Sequence, residues 1–407
     1  MTPEEVRGIL GSALPPVRPE VELLLASARA RITPERAEQI ARLAGSDLDW
    51  PLVVRLARLH GVAPLLYRSL HATCADRVPV EVLRGLAYHY HRNSLHNQWL
   101  IQHLIGLLDA LSASGIPAIP LKGPVLGAAV YGDPALRESC DLDVLVHEPD
   151  LPSVEEILRG LGYASPWPWP VDSPGGRFTR GYSKGISFAG GSRRPHLDVH
   201  WRLSHRCLPM PPDLSTAWAG ARSVRLGERD LPCLDPQELL LFAWMRGGSD
   251  AWQYLSLVCD LAQCLAAHPE PEWAAVVEGC RAQGCVRLLQ VGALVLAATL
   301  GGPVNEGLLR SALNDRPTVA YASRVVGALL AREGALDGGE IPRFRLVARE
   351  RWADRLGYAL TLALVPGPHE WAMIRLPGRL YWVYALLRPL RLAARHAGFA
   401  ARYLLSR

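Results

Sequence analysis

Arg137-Glu138-Ser139-Cys140-Asp141-Leu142-Asp143-Val144-Leu145-Val146 carries the strongest structural signal in this chain. Two aspartates one residue apart run directly into an apolar stretch. Alternate strand side chains face opposite sides, so Asp141 and Asp143 emerge on one face. Upstream lies a Lys122-Gly123 turn. Downstream, His196-Leu197-Asp198-Val199-His200-Trp201 forms a second alternating run, whose Asp198 completes a three-carboxylate cluster if its strand lies nearby. Hard divalent cations select oxygen ligands, and two such ions can clamp the attacking and leaving oxygens of a phosphoryl transfer.

Around this stretch the residues place the other elements. The segment 116–121 is short, apolar and proline-containing, which fits an edge strand. Gly123-Pro124 opens a helix through Tyr131, since proline is tolerated in a first turn, and Gly132-Asp133-Pro134 closes it. Asp150 is the expected cap of a helix through Leu158-Arg159, with Gly162 closing it. Residues 164–182, rich in proline, glycine and tryptophan, read as a loop. Segments 185–189 and 196–201, joined by Gly190-Gly191-Ser192-Arg193-Arg194, read as a hairpin.

Residues 20–112 read as helices. Asp49 is positioned to cap one that buries Val53, Leu56 and Ala57, and a long amphipathic helix over 94–111 ends near Ser114-Gly115. Helical periodicity returns from Asp235-Pro236 to the C-terminus. The expected fold is α+β, with a small mixed sheet at 113–232 between an N-terminal helical region, 1–112, and a C-terminal one, 233–407.

Composition narrows the function classes. The chain has 407 residues, a formal net charge of +5 and eight cysteines. A charge so modest and scattered does not require nucleic acid. None of the cysteines forms a C-x-x-C pair, which disfavours a structural zinc site, and their dispersal disfavours a disulfide framework. Buried free thiols are expected. The N-terminus shows no charged-then-apolar leader, and the longest apolar run, 291–300, falls short of a bilayer span. No transmembrane segment and a cytoplasmic location are expected.

The chain resembles nucleotidyltransferase-fold proteins, the DNA polymerase β-like superfamily. The likeness rests on Leu121-Lys122-Gly123, on Arg137 to Val146, and on His196-Leu197-Asp198-Val199-His200-Trp201-Arg202-Leu203. More narrowly it is similar to a bacterial group described as uncharacterised nucleotidyltransferases, in which an LKG turn, an R-x-S-x-D-L-D-L-L-V strand and a D-L-H-W-R-L strand recur. Asp49-Trp50-Pro51, 59–65, 235–240 and 259–262 extend the resemblance into the flanking helices.

The resemblance implies that Asp141, Asp143 and Asp198 bind metal and carry catalysis. It implies that Lys122 and Gly123 face the triphosphate, and that Arg137 and Ser139 flank the nucleotide. Two magnesium ions, with manganese as a substitute, are the implied cofactors, and a nucleoside triphosphate the implied substrate. The implied reaction moves a nucleoside monophosphate to a hydroxyl-bearing acceptor and releases pyrophosphate. Similar proteins are associated with bacterial biosynthetic clusters, which suggests a sugar, peptide or small-molecule acceptor; nucleic acid is not favoured. Two alternatives stand beside it: a catalytically idle nucleotide- or partner-binding module, and a nucleotidyltransferase-like toxin acting on transfer RNA.

This chain also departs from the pattern. Pro124 replaces the usual serine or glycine of the turn and removes a donor N–H. Cys140 stands where relatives often carry glycine, and Phe242, Arg246, Ser249 and Asp250 where they carry histidine and lysine.

Other residues admit two readings each. His196 shares a face with Asp198 and His200, and His200 is a metal ligand or, more in keeping with its neighbours, a partner orienting an aspartate. His205 has no evident partner. Arg177, Arg180, Lys184, Arg193 and Arg194 line a nucleotide cleft or form a solvated face. Trp167 and Trp169 stack on a base or pin their loop. Asp260, mid-helix, needs a buried partner, with structural linkage favoured. The segment 371–407 carries seven arginines and no acid. Packing is the favoured reading there, and peripheral membrane contact the minority one.

Overall fold

The structure, a computed structural model, describes residues 1–11, 14–165, 167, 169–204, 214–331 and 340–405, with backbone alone at 340, 368 and 394–405. His205 and Cys207 lie outside the described residues.

The chain is α+β. Four strands, β1 (Ala118–Pro120), β2 (Asp141–Val146), β3 (Gly185–Phe188) and β4 (His196–His200), form one mixed sheet in the order β1-β2-β4-β3. β2 and β4 run parallel at its centre, with Asp143 opposite Asp198 and Leu145 opposite His200. β1 flanks β2 and β3 flanks β4, both antiparallel. Prolines 117 and 120 are tolerated because β1 is an edge, where a missing N–H costs no ladder bond.

One face of the central pair buries Leu142, Val144 and Val146 of β2 and Leu197 and Val199 of β4. The opposite face carries the aspartates. The long helix Val80–Ala113 buries Leu100, Leu104, Leu107 and Leu111 at helical spacing and packs against β1 and β2. Each leucine so buried contributes about 1.5–3 kcal/mol. This helix begins well before residue 94, and Ser114 and Gly115 end it as expected. Trp50–Leu59 is capped by Asp49, whose Oδ1 accepts from the Leu52 N–H at 3.0 Å.

The helix after Gly123 starts at Pro124 and widens to a π-helical turn over Gly127–Tyr131. Gly132 ends it with φ 74°.

Four sequence expectations need correction. Asp150 sits at the start of Leu151–Gly160, but its side chain makes no capping bond, because a 3₁₀ turn over Glu148–Asp150 feeds the helix directly. The segment 164–182 is not all loop. Pro174–Tyr182 is a helix, nucleated by Ser173 Oγ accepting from the Gly176 N–H at 3.1 Å and by proline in the first turn. Residues 222–233 form an additional hairpin, β5 (Arg222–Leu226) and β6 (Arg229–Cys233), which sequence reading missed. Six described cysteines are buried, but Cys140 is exposed in the turn before β2.

C-terminal to the sheet, Pro236–Ser249 and Leu255–Ala267 pack on each other, and the second also packs on the Gly127–Tyr131 turn. A smaller apolar cluster, Trp169, Trp371 and Tyr384, joins the segment before Pro174 to the last helices. Trp169 Nε1 donates to the Leu376 carbonyl at 3.1 Å, and Trp167 meets Trp201 edge-on. Both tryptophans pin the chain here.

Candidate active site

Register alone brings the carboxylates together. Because β2 and β4 are parallel neighbours, Asp143 and Asp198 sit side by side on one face, and His200 lies two residues further along β4. Ligand atoms of Asp143, Asp198 and His200 lie within 4.8 Å of one another. His200 Nε2 is 3.0 Å from Asp143 Oδ1. A carboxylate only accepts, so the ring proton of this bond sits on Nε2.

Asp141, one turn of the pleat before Asp143, is more open. It is held by Lys122, whose Nζ lies 3.3 Å from Oδ1 and 3.2 Å from Oδ2. The same ammonium is 2.9 Å from Asp143 Oδ2. In that contact the ammonium lies directly against the buried Oδ2 and neutralises its charge. Burial would push the Asp143 carboxyl up. The His200 hydrogen bond and the Lys122 charge outweigh it and hold the group well below the usual carboxylate range.

Lys122 is delivered by the β1 edge. The Leu121 N–H donates to the Asp143 carbonyl at 3.0 Å, extending the ladder to the turn. Gly123 then adopts φ 71° and ψ −143°, a conformation that L-residues rarely take, so the turn requires glycine.

Arg137 and Ser139 are buried in the segment leading into β2. Arg137 Nε and Nη2 each donate to Asp260 at 3.0 Å, and Nη1 donates to Ser139 Oγ at 3.2 Å. Asp260 also accepts from Tyr131 OH at 2.8 Å and Arg246 Nη1 at 3.0 Å. The structural linkage expected of Asp260 is thus a four-residue network that fastens the C-terminal helices to the segment before Asp141. Burial would raise the Asp260 carboxyl, but Arg137 more than offsets it and holds it low.

The long helix grips the same segment from the other side. Asn93 and Asn97 Nδ2 donate to the Arg137 carbonyl at 3.2 and 3.0 Å, and to the Ala135 and Pro134 carbonyls at 2.8 and 3.0 Å. Sequence reading missed both asparagines. Their i, i+4 spacing inside an apolar helix face was the available signal.

Of Arg177, Arg180, Lys184, Arg193 and Arg194, Lys184 is the one whose charge interacts with Asp143. Arg177 donates to the Asp172 carbonyl, Arg180 pairs with Glu148, Arg194 lies over the Tyr163 ring, and Arg193 is exposed. Lys184 precedes β3, where its carbonyl accepts from the Trp201 N–H at 3.0 Å. Burial pushes its ammonium below the ordinary value, against the pull of Asp143 and Asp250, while Lys122 and Arg246 push the same way.

The signal for Lys184 was compositional. The chain has 44 basic residues, yet its only lysines are Lys122 and Lys184. A compact ammonium and a planar guanidinium are not interchangeable. In a chain that uses arginine everywhere else, one lysine pairs with Asp143 and the charge of the other is influenced by it.

His200 is positioned by a close backbone approach. Gly185 of β3 lies opposite it, and a Cβ there would fall 2.7 Å from the Val199 carbonyl oxygen and 2.9 Å from His200 Nδ1. His196 points from an exposed position. Phe242 is buried, the Ser249 carbonyl accepts from Arg345 Nη2 at 2.7 Å, and Arg246 and Asp250 contribute to the field around Lys184.

Comparison with curated proteins and with solved structures gives no match. A family model described as an uncharacterised nucleotidyltransferase matches residues 46–301, from just before the Asp49 cap through the helix Val286–Ala298. That range is more than half of the 407 residues and holds the whole sheet with its carboxylates. The chain therefore belongs to the uncharacterised nucleotidyltransferase family, and is an enzyme of nucleotidyl transfer.

Proposed function

We propose that this chain transfers a nucleoside monophosphate from a nucleoside triphosphate to a hydroxyl-bearing acceptor. The acceptor oxygen bonds to the α-phosphorus, the α–β bridging bond breaks, and pyrophosphate leaves. The observation that carries this reading is the pairing of Asp143 with Asp198 across two parallel strands, with Lys122 against Asp141 and Asp143.

A divalent cation fits the residues present. Asp143 Oδ2 is buried and already faces a cationic ammonium at 2.9 Å, and ligand atoms of Asp143, Asp198 and His200 lie within 4.8 Å of one another. Asp143 and Asp198 would hold the ion, and Asp141, joined to Asp143 through Lys122, would add a third carboxylate. The donor set is mostly carboxylate oxygen, which suits magnesium or manganese. Bound there, the cation would neutralise charge building on the phosphoryl oxygens.

The chain's own groups do the rest. His200 fixes the Asp143 carboxylate, and the Arg137–Asp260 network fixes the segment before Asp141. Lys122 and Lys184 supply positive charge for triphosphate oxygens. Asp198, less buried than Asp143, accepts the acceptor's proton.

The test uses nucleotides labelled at the α-phosphate with magnesium or manganese, following pyrophosphate release and label transfer to a panel of sugars, peptides and small alcohols. Asp143→Asn and Asp198→Asn are expected to abolish both. Wild-type protein that binds no nucleotide in the presence of metal would overturn the reading. Two observations support a second reading, an idle nucleotide-binding module: Lys122 bridges the two aspartates itself, and Pro124 removes a phosphate donor. Metal-dependent binding without pyrophosphate release for any acceptor would favour it.

A further inference from the structure

From 352 onward the chain carries an apolar surface that the other described residues do not cover. Of the twenty large hydrophobic side chains exposed among the described residues, eleven fall between Trp352 and Leu390. On the helix Trp352–Leu364 the solvent-facing row is Trp352, Leu356, Leu360 and Leu364, at i, i+4 spacing. Trp382, Leu386 and Leu390 repeat that spacing on the helix Trp382–Leu405, which packs against the first. Trp352 is 76% exposed and Leu390 67%. Scattered single hydrophobics are ordinary on a surface, but so many on two helices packed together call for an occupant.

Charge identifies the occupant. Residues 352–407 contain eight arginines and two acids, net +6, against +5 for the whole chain. All of the protein's excess positive charge thus lies in this segment. Arg375 and Arg379 are exposed in the segment between the two helices, while Arg388 and Arg391 are held by Glu370. A second copy docked face to face would set arginines against arginines, since a twofold interface repeats the same patch. No described helix is long and apolar enough to cross a membrane. The segment also lies beyond the residues that the family model matches.

We propose that the Trp352–Leu364 and Trp382–Leu405 helices form a docking face for an anionic lipid surface. The helices lie in the interfacial plane, with leucines and tryptophans among the acyl chains and arginines at the headgroups. Anionic lipid supplies negative charge for Arg375 and Arg379, which make no ion pair among the described residues. The nucleotidyltransferase site, on the sheet, stays free to work at that surface.

The full-length protein is sedimented with vesicles of phosphatidylcholine alone, or with one-third phosphatidylglycerol. Binding to the anionic vesicles is expected to be at least about tenfold tighter and to weaken with salt. Leu356→Glu with Leu360→Glu is expected to lose about tenfold or more on the anionic vesicles. So is Arg375→Gln with Arg379→Gln. Leu95→Glu, an exposed leucine elsewhere, is expected to bind as wild type, and circular dichroism checks that each variant folds. Absent or charge-independent binding overturns the proposal. So does a concentration-dependent dimer in sedimentation equilibrium that Leu356→Glu with Leu360→Glu dissociates, because it assigns the face to a second copy.

Discussion

Replacing Asp260 by alanine removes the acceptor of four hydrogen bonds, two from Arg137 and one each from Tyr131 and Arg246. The side chains of Arg137 and Asp260 retain only 8% and 4% exposure, so the guanidinium would stay buried without its counter-charge. Breaking a buried pair in this way costs about 3–5 kcal/mol. At about 1.4 kcal/mol per factor of ten, that is a loss of roughly two to four powers of ten in the folded-to-unfolded ratio. Urea unfolding followed by tryptophan fluorescence measures it. The double replacement Asp260→Leu with Arg137→Met removes both charges and is expected to be more stable than Asp260→Ala by about 2 kcal/mol or more.

The pH dependence has a defined sign. Asp260 is held below its unfolded value, so its contribution is complete above about pH 4 and is lost as pH falls through the lower folded value. The gap between wild type and Asp260→Ala should therefore be flat from about pH 5 to 8 and close only in acid. Asp260→Ala within about 1 kcal/mol of wild type, or a double variant no better than the single, would refute the network as the clamp on this segment.

Gly185→Ala places a methyl against the Val199 carbonyl and His200, so it is expected to cost about 1–3 kcal/mol in thermal or urea unfolding. It should also lower turnover by displacing His200 from Asp143; a variant with unchanged stability and rate would contradict that geometry. Lys184→Arg keeps the charge in a chain already rich in arginine, yet is expected to lower pyrophosphate release by about tenfold or more, because the guanidinium does not fit a compact ammonium's place. Silent Lys184→Arg and Lys122→Arg variants would show that charge alone suffices there.

The strands were legible because their pattern is local. Asp141–Val146 and His196–His200 alternate with period two, and the prolines around Ala118–Pro120 marked an edge. The Asp49 and Asp235 caps and the Pro124 helix start followed from turn chemistry. The Pro174–Tyr182 helix was hidden by Gly175, Gly176 and Gly181, which lower helix propensity although Ser173-Pro174 is a good start signal. The β5–β6 hairpin is short and mostly exposed, and its alternation amounts to Val224/Leu226 and Leu231/Cys233 alone, too brief to stand out.

In the candidate site, sequence placed the three aspartates on strands, but not the His200–Asp143 bond. That bond depends on the register between two strands separated by more than fifty residues. The commitment of Arg137 to Asp260 spans 123 positions of sequence, beyond the reach of any local pattern.

Metal binding to the intact protein gives the sharpest check on the carboxylate pair. Manganese titrated with and without a non-hydrolysable nucleoside triphosphate, and followed by paramagnetic resonance of the free ion, reports binding without turnover. Wild type is expected to bind manganese more tightly when the nucleotide is present, and Asp143→Asn and Asp198→Asn to lose that enhancement while keeping the wild-type fold by circular dichroism. Equal manganese binding by wild type and Asp198→Asn with the nucleotide bound would contradict the assignment of this site.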